Sequence, residues 1–358
     1  MKSFRKEKDA KLHLAKQLLD IERGEWIDPK VGRTRFAVYA AGWFASTSHL
    51  APGTRLNVEG RLRNHIIPAF GEAPMSAIRP EHVREWVAHL QSRGLAPATL
   101  IAAYRVFAKI MRTAEVDRVI TRSPCIGIDL PRDTAHQEMR FLDPDEIGRL
   151  ADEIADRYSA MIVMAAYTGL RWGELVALKV DRLNLLRGSV DVRESMAEIN
   201  GHLHVGSTKT GARRSVSLPK FLMRILSEHI GNYPSPQSFV FSAAEGGPLR
   251  RTFYRRHFKP AVARAGLDPG LRFHDLRHTC ASLLIAQGAH PKEIQERLGH
   301  STIRLTFDRY GHLLPSLDER LRDGLEEAFQ TAQSAPRVGN PWEIGGLREA
   351  KSPSRGGQ

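Results

Sequence analysis

Residues 274–313 read HDLRHTCASLLIAQGAHPKEIQERLGHSTIRLTFDRYGHL, the densest run of functional side chains in the chain. Ala281, Ile294 and Leu298 fall at helical spacing on either side of Gly288, so the stretch reads as helix, turn, helix. Three chemistries compete for it. In a zinc site, His274 and His278 would ligate from i and i+4, as in H-E-x-x-H. Asp275 stands where that motif needs Glu, and the Arg277 cation beside the pair opposes a metal. In a helix-turn-helix DNA reader, the two helices explain the spacing of Ala281, Gly288, Ile294 and Leu298 but give His274, Arg277 and Tyr310 no role. In a phosphoryl-transfer site, His274 and Arg277, at i and i+3, project from one side of a helix toward a phosphate. Chance alone supplies an H-x-x-R pair in a chain this rich in His and Arg, so the third reading depends on what accompanies it.

Upstream, TGLRWGEL (168–175) places Arg171 at the end of the apolar run SAMIVMAAYTGL (159–170), where an unpaired guanidinium is costly unless it meets an anion. Residues 187–218 change to short alternating runs rich in β-branched residues, SVDVRES, GHLHVGS and RSVSL, with Gly-containing turns between them. GSTKTGARRSVSL (206–218) puts Lys209 in the turn of an expected hairpin, with Arg213 and Arg214 close by. Downstream, His300 follows the helix-ending Gly299, and Tyr310 comes ten residues later.

This ordered set, Arg171, Lys209, His274-x-x-Arg277, His300 and Tyr310, resembles the tyrosine recombinase, or phage-type integrase, family over residues 36–312. The fold class that the resemblance implies is mainly α with a small antiparallel β-sheet: a helical-bundle core-binding domain, then a tyrosine recombinase catalytic domain. It implies cleavage and rejoining of DNA through a covalent 3′-phosphotyrosyl link, without cofactor, metal or ATP. Tyr310 would be the nucleophile, His274 its base, Lys209 the acid for the leaving 5′ oxygen, and Arg171, Arg277 and His300 donors to the scissile phosphate. Glu174 fits the acidic residue the family often carries three positions after the first arginine, and would orient Arg171. The partners implied are double-stranded DNA at attachment core sites, a homotetramer on that DNA, and a host DNA-bending protein or directionality factor. Integration and excision of a prophage or mobile element is the role expected. A Xer-type chromosome-dimer resolvase, a type IB topoisomerase and a non-catalytic helix-turn-helix regulator are the alternatives.

The remainder of the chain fits around that set. Residues 1–35 read as a basic amphipathic N-terminal helix, the segment that in lambda-like integrases follows an arm-binding domain. Residues 36–130 read as a helical bundle, with turns at 64–68 and 71–74 and helices opened by Pro80 and Pro97. Residues 131–143 are the expected linker and 144–334 the catalytic domain, opened by an Asp143-Pro144 cap. Residues 335–358, rich in Pro, Gly, Ser and Arg, are expected to be disordered. In RRTFYRRHFK (250–259), Arg251, Arg255 and Lys259 share one helical face suited to tracking phosphates, and Arg55, Arg61, Arg63 and Arg105 are further candidates in the bundle.

Composition agrees. The 358 residues carry 53 Lys plus Arg against 40 Asp plus Glu, a formal charge of +13 that suits a polyanion. Two cysteines, Cys125 and Cys280, are too few for a disulfide framework, so a reducing, cytoplasmic setting is expected. No run approaches the ~18 apolar residues of a membrane span.

Overall fold

The computed structural model describes residues 30–132, 139–208, 211, 213–313 and 317–334, together with Glu7, Lys8, Lys11, Leu14 and Ala15. The helix expected over 1–35, most of the linker, Lys209 and the tail from 335 lie largely or wholly outside them. Packing divides the chain into two compact units, with the boundary between Cys280 and Ala281.

In the first unit, helices α1 (Phe36–Ala45), α2 (Pro52–Arg61), α3 (Ile67–Phe70), α4 (Pro80–Ser92) and α5 (Pro97–Val116) make the expected bundle. Pro52, Pro80 and Pro97 each open a helix, where the missing N–H has no intrahelical partner to lose. The core is aromatic: Phe107 stacks on Phe70 at 4.5 Å and meets Phe36 and Trp86 at 5.5 and 5.4 Å. The Trp86 indole N–H donates to the His65 carbonyl at 3.0 Å.

The turn expected at 64–68 is absent. Leu62–Ile66 instead widens to π-type winding and joins α2 directly to α3. Pro68 explains this, because a proline ring clashes with the carbonyl four residues back and donates nothing to it, and widening the preceding turn relieves both. The same device recurs at Tyr254–Phe258, ahead of Pro260 in α10 (Lys259–Arg264).

Beyond residue 139, Asp143 caps α6 (Pro144–Glu153) by accepting from the Glu146 amide at 2.7 Å, and the Glu146 carboxylate returns to the Asp143 amide. The apolar run forms α7 (Asp156–Thr168), with Met161, Ile162, Met164 and Ala166 buried. Gly169, left-handed at φ 68°, ends it and turns the chain into the short α8 (Trp172–Val176). The strands are β1 (Leu183–Asn184), β2 (Ser189–Val192), β3 (Glu194–Ile199), β4 (His202–Ser207) and β5 (Arg214–Ser217), all paired antiparallel. They form two sheets rather than one: β1-β2-β5, and the hairpin β3-β4 closed by Asn200-Gly201. Both turn residues have positive φ, 50° and 78°, as a two-residue hairpin turn of matching twist requires. The run SVDVRES is therefore split at Arg193 between the two sheets. The strands that flank the Lys209 segment, β4 and β5, belong to different sheets, and Lys209 itself lies outside the described residues. Helix α9 (Lys220–Asn232) follows, then α10 and the first half of α11 (Asp275–Ala286).

The second unit holds the end of α11, α12 (Pro291–Leu298), α13 (Ile303–Tyr310) and α14 (Leu317–Ser334). Gly288, beyond the end of α11, and Gly299, at the end of α12, both take positive φ, so helix, turn and helix follow one another along the chain as expected. No helix among the described residues is long and apolar enough to cross a membrane.

Candidate active site

Arg171 stands at the N-cap of α8, immediately after the Gly169 turn. Its backbone amide donates to Glu174 Oε2 at 2.9 Å and its guanidinium to Glu174 Oε1 at 2.9 Å. Gly173 keeps this short helix against β3: a Cβ there would come within 2.5 Å of Ser195 Oγ and 2.7 Å of the Met196 carbonyl oxygen. Glu174 is almost wholly buried, its side chain 1 % exposed. Burial by itself would raise its pKa, but the Arg214 hydrogen bonds and charge, followed by those of Arg171, hold it below the usual glutamate value.

Arg214, at the start of β5, was not singled out by the sequence motif. It grips Glu174 bidentately, Nη1 to Oε1 at 3.0 Å and Nη2 to Oε2 at 2.7 Å. One of two adjacent arginines, it gives no sign in the sequence of facing a carboxylate forty residues away.

Arg277 is 3 % exposed and donates from Nη1 to the Gly169 carbonyl at 2.6 Å. The two candidate phosphate-binding arginines are thus fixed to a single turn of chain, Arg277 on its first residue and Arg171 two residues later. His274 lies one helical turn before Arg277 and is exposed, with its ring edge-on to the buried His278 at 4.9 Å. The start of α11 is locked by Asp275, fully buried, which accepts from the Arg272 amide at 2.7 Å and from its guanidinium at 2.7 and 3.1 Å. That partnership raises the Arg272 pKa, chiefly through the hydrogen bonds. Asp275 is thereby committed to structure. Among the described residues, no group of three or more His, Cys, Asp or Glu is placed to hold a metal.

In the second unit, His300 and Tyr310 lie with their rings nearly parallel, at 11° and 6.3 Å between centroids. His300 Nδ1 shares a hydrogen bond with Thr306 Oγ1 at 2.9 Å, and Gln295 holds its backbone at both ends. Tyr310 closes α13 and is 1 % exposed. Lys209 lies outside the described residues; Thr208 before it is buried and accepts from the Gly211 amide at 2.8 Å.

Of the three cations expected on one face of 250–259, Arg251 and Arg255 are exposed. The π-type turn Tyr254–Phe258, which contains Arg255, alters the helical spacing, and the Lys259 ammonium donates to the carbonyls of Pro269 and of Leu271, the latter at 2.9 Å. In the bundle, Arg55 lies over the Phe44 ring at 4.8 Å. A cavity of about 800 Å³ in the bundle is lined by Gly32, Met75, Arg79, Arg84 and Arg122 and by none of the candidate catalytic groups.

Two family models match this chain. The phage integrase family covers residues 140–316, and the phage integrase N-terminal SAM-like domain covers 36–91. The chain belongs to the phage integrase family. This integrase is accordingly a tyrosine site-specific recombinase of the kind that moves mobile elements. It is 29% identical over 336 residues to the integrase of Mycobacterium phage D29, covering 89% of this chain and 87% of that one. The solved structure of the Tn1549 transposon integrase with transposon right end DNA superposes with a TM-score of 0.72 at 20% identity, over 82% of this chain and 99% of that one. The lambda integrase tetramer bound to a Holliday junction superposes with a TM-score of 0.59 at 17% identity, over 84% and 90%.

Proposed function

We propose that the integrase cuts and rejoins duplex DNA at attachment core sites through Tyr310, using Arg171 and Arg277 as a preformed receptor for the scissile phosphate. The observation that carries this reading is the convergence of the two arginines on the Gly169–Arg171 turn. A phosphodiester repels nucleophiles because it is anionic, and its transition state places more charge on the nonbridging oxygens. Guanidinium forks offer two parallel donors to such oxygens, and donors already fixed in place lose little on binding. His300 adds a further donor.

The free tyrosine pKa is near ~10, so the attack needs a base. His274 takes the Tyr310 proton as the phenolic oxygen bonds to phosphorus. The bond from phosphorus to the 5′ oxygen breaks, and Lys209 supplies that oxygen with its proton. One phosphodiester is exchanged for one phosphotyrosyl ester, so the reverse attack by a 5′ hydroxyl rejoins DNA with no nucleotide consumed.

Residues 36–130 act in this proposal as the core-DNA-binding domain and 144–334 as the catalytic domain, closing as a clamp, with Arg251 and Arg255 on the DNA backbone. A lambda integrase tetramer has been seen on a Holliday junction, which supports a homotetramer here. Integration and excision of a prophage or similar element then proceeds in the cytoplasm, with a DNA-bending protein or directionality factor setting the direction.

The test is a nicked duplex carrying the attachment core. The expected product is a covalent adduct through a 3′ phosphate, formed in chelator and without ATP. Absence of adduct on the true site refutes the recombinase reading, and relaxation of plasmids without site preference replaces it with a topoisomerase.

A further inference from the structure

Glu174 is bound by two guanidiniums, and the family reading uses only one. We infer that Arg214 is a positioning residue for strand cleavage: by holding Glu174 from the sheet side, it aligns Arg171 and prevents the carboxylate from neutralising it. This inference rests on the proposed role of Arg171.

The geometry divides the carboxylate in a particular way. Each of its oxygens accepts from both arginines: Oε1 from Arg171 Nη1 and Arg214 Nη1, and Oε2 from the Arg171 backbone amide and Arg214 Nη2. Arg214 makes both of its contacts through the guanidinium fork, with the shortest distance of the four at 2.7 Å. The side chains of Arg214 and Glu174 are 10% and 1% exposed, so water screens their interaction little. Arg171, at 22%, is the more exposed of the two arginines.

Charge counting shows what the second arginine does. Arg171 with Glu174 alone is a neutral pair, and a buried carboxylate with one partner draws that partner's fork onto itself. With Arg214 present the triad carries one net positive charge, and its second anion is the one that arrives with DNA. The scissile phosphate therefore meets a receptor whose internal carboxylate is already satisfied.

Arg214 also has a second attachment. It begins β5, where Val192 of β2 is its antiparallel neighbour, and the segment holding Lys209 runs from the end of β4 into this position. The Glu174 bridge thus ties that segment's far end to the α8 turn. Both the arginine that receives the phosphate and the strand that follows the proposed acid are referred to one buried carboxylate.

The experiment compares wild type with Arg214→Met and Arg214→Lys in single-turnover cleavage of a nicked core-site duplex. One substrate has a normal scissile phosphodiester, and the other a methylphosphonate, whose methyl group replaces one charged oxygen and makes the linkage neutral. Arg214→Met is expected to cut the phosphodiester about 10²-fold more slowly, in the range found when one preorganised donor is lost. DNA affinity by gel shift should stay within about threefold, because the triad is a small part of the phosphate contacts. On the methylphosphonate the deficit should shrink to about tenfold or less, since a neutral linkage depends less on Arg171. Arg214→Lys, a point charge without a fork, should recover part of the rate.

A purely structural role for Arg214 predicts equal losses on both substrates, and that result overturns the inference. So does cleavage by Arg214→Met within about threefold of wild type. If Arg214→Met does not fold, Arg214→Lys decides between the same outcomes through its own ratio on the two substrates. Wild-type protein that forms no adduct on the phosphodiester refutes the recombinase reading instead, so the two failures are distinguishable.

Discussion

Replacing Arg277 tests the proposed receptor most directly, because this side chain has two separable functions. It is 3 % exposed and donates to the Gly169 carbonyl at 2.6 Å, where α7 ends. Arg277→Ala removes that charge-assisted bond and leaves a buried acceptor, which costs about 1–3 kcal/mol, with a further contribution from the emptied volume. A total of about 2–4 kcal/mol translates into a Tm lowered by roughly 5–10 °C for a unit of this size. In chemistry, loss of the fork should slow adduct formation by about 10²–10³-fold or more. Arg277→Lys separates the two effects. An ammonium reaches one carbonyl and preserves most of the stability, but it cannot offer two parallel donors to a phosphate. The assays are differential scanning fluorimetry, gel shift on the core site and single-turnover cleavage of a nicked duplex. Expected for Arg277→Lys are a Tm within about 3 °C of wild type, DNA affinity within about threefold, and cleavage still down by about 10²-fold. Cleavage by the lysine variant within about threefold of wild type would refute the fork argument. A Tm unchanged in Arg277→Ala would refute the importance of the Gly169 tie.

Three other outcomes follow from the same geometry. Tyr310→Phe should bind core-site DNA yet yield no covalent adduct on denaturing gels, and an adduct that persists removes Tyr310 as nucleophile. Burial and then the nearby Arg157 lower the His229 pKa, against the opposing hydrogen bond to the Val240 carbonyl at 2.8 Å. The neutral ring therefore stabilises the fold above the ordinary histidine pKa of about 6.5, and that contribution fades as the pH falls below it, no faster than ~1.4 kcal/mol per unit; His229→Gln should flatten urea-derived stability between pH 7 and 5. Asp143→Ala deletes the cap of α6 and should cost about 1 kcal/mol by chemical denaturation, while Asp143→Ser costs a few tenths.

What could be read from the residues alone depended on how local the cause was. Prolines at positions 80 and 97 and the Asp143-Pro144 pair announced helix starts, because capping and proline geometry act within one turn. The apolar run ending at residue 170 announced a buried helix by composition alone. Pro68 misled, since a proline after an apolar helix more often ends it than widens it, and the choice depends on tertiary packing such as the Trp86 bond to His65. The split of SVDVRES between two sheets was equally invisible, because alternation shows which residues face inward but not which strand lies alongside. The order of Arg171, His274, Arg277, His300 and Tyr310 was legible as a family pattern. The Arg214 grip on Glu174 was not, because charge pairing across forty residues leaves no periodic trace.

The +13 charge can now be divided by burial rather than by residue type. In the proposed complex, exposed arginines such as Arg251 and Arg255 attract DNA through solvent, and that attraction fades over a Debye length of about 8 Å at physiological salt. Arg171, Arg214 and Arg277 are the opposite case, each held by a carboxylate or a carbonyl at no more than 3.0 Å. Glu174 cancels one of these three charges and the Gly169 carbonyl cancels none, so the set adds two charges to the long-range field. What anchoring provides is direction: a guanidinium that cannot swing offers its donors at one place, and a phosphate gains from it only when the phosphodiester sits there. A recombinase that must bind many sites loosely and cut very few needs both kinds of arginine, and in this chain burial determines which kind each one is.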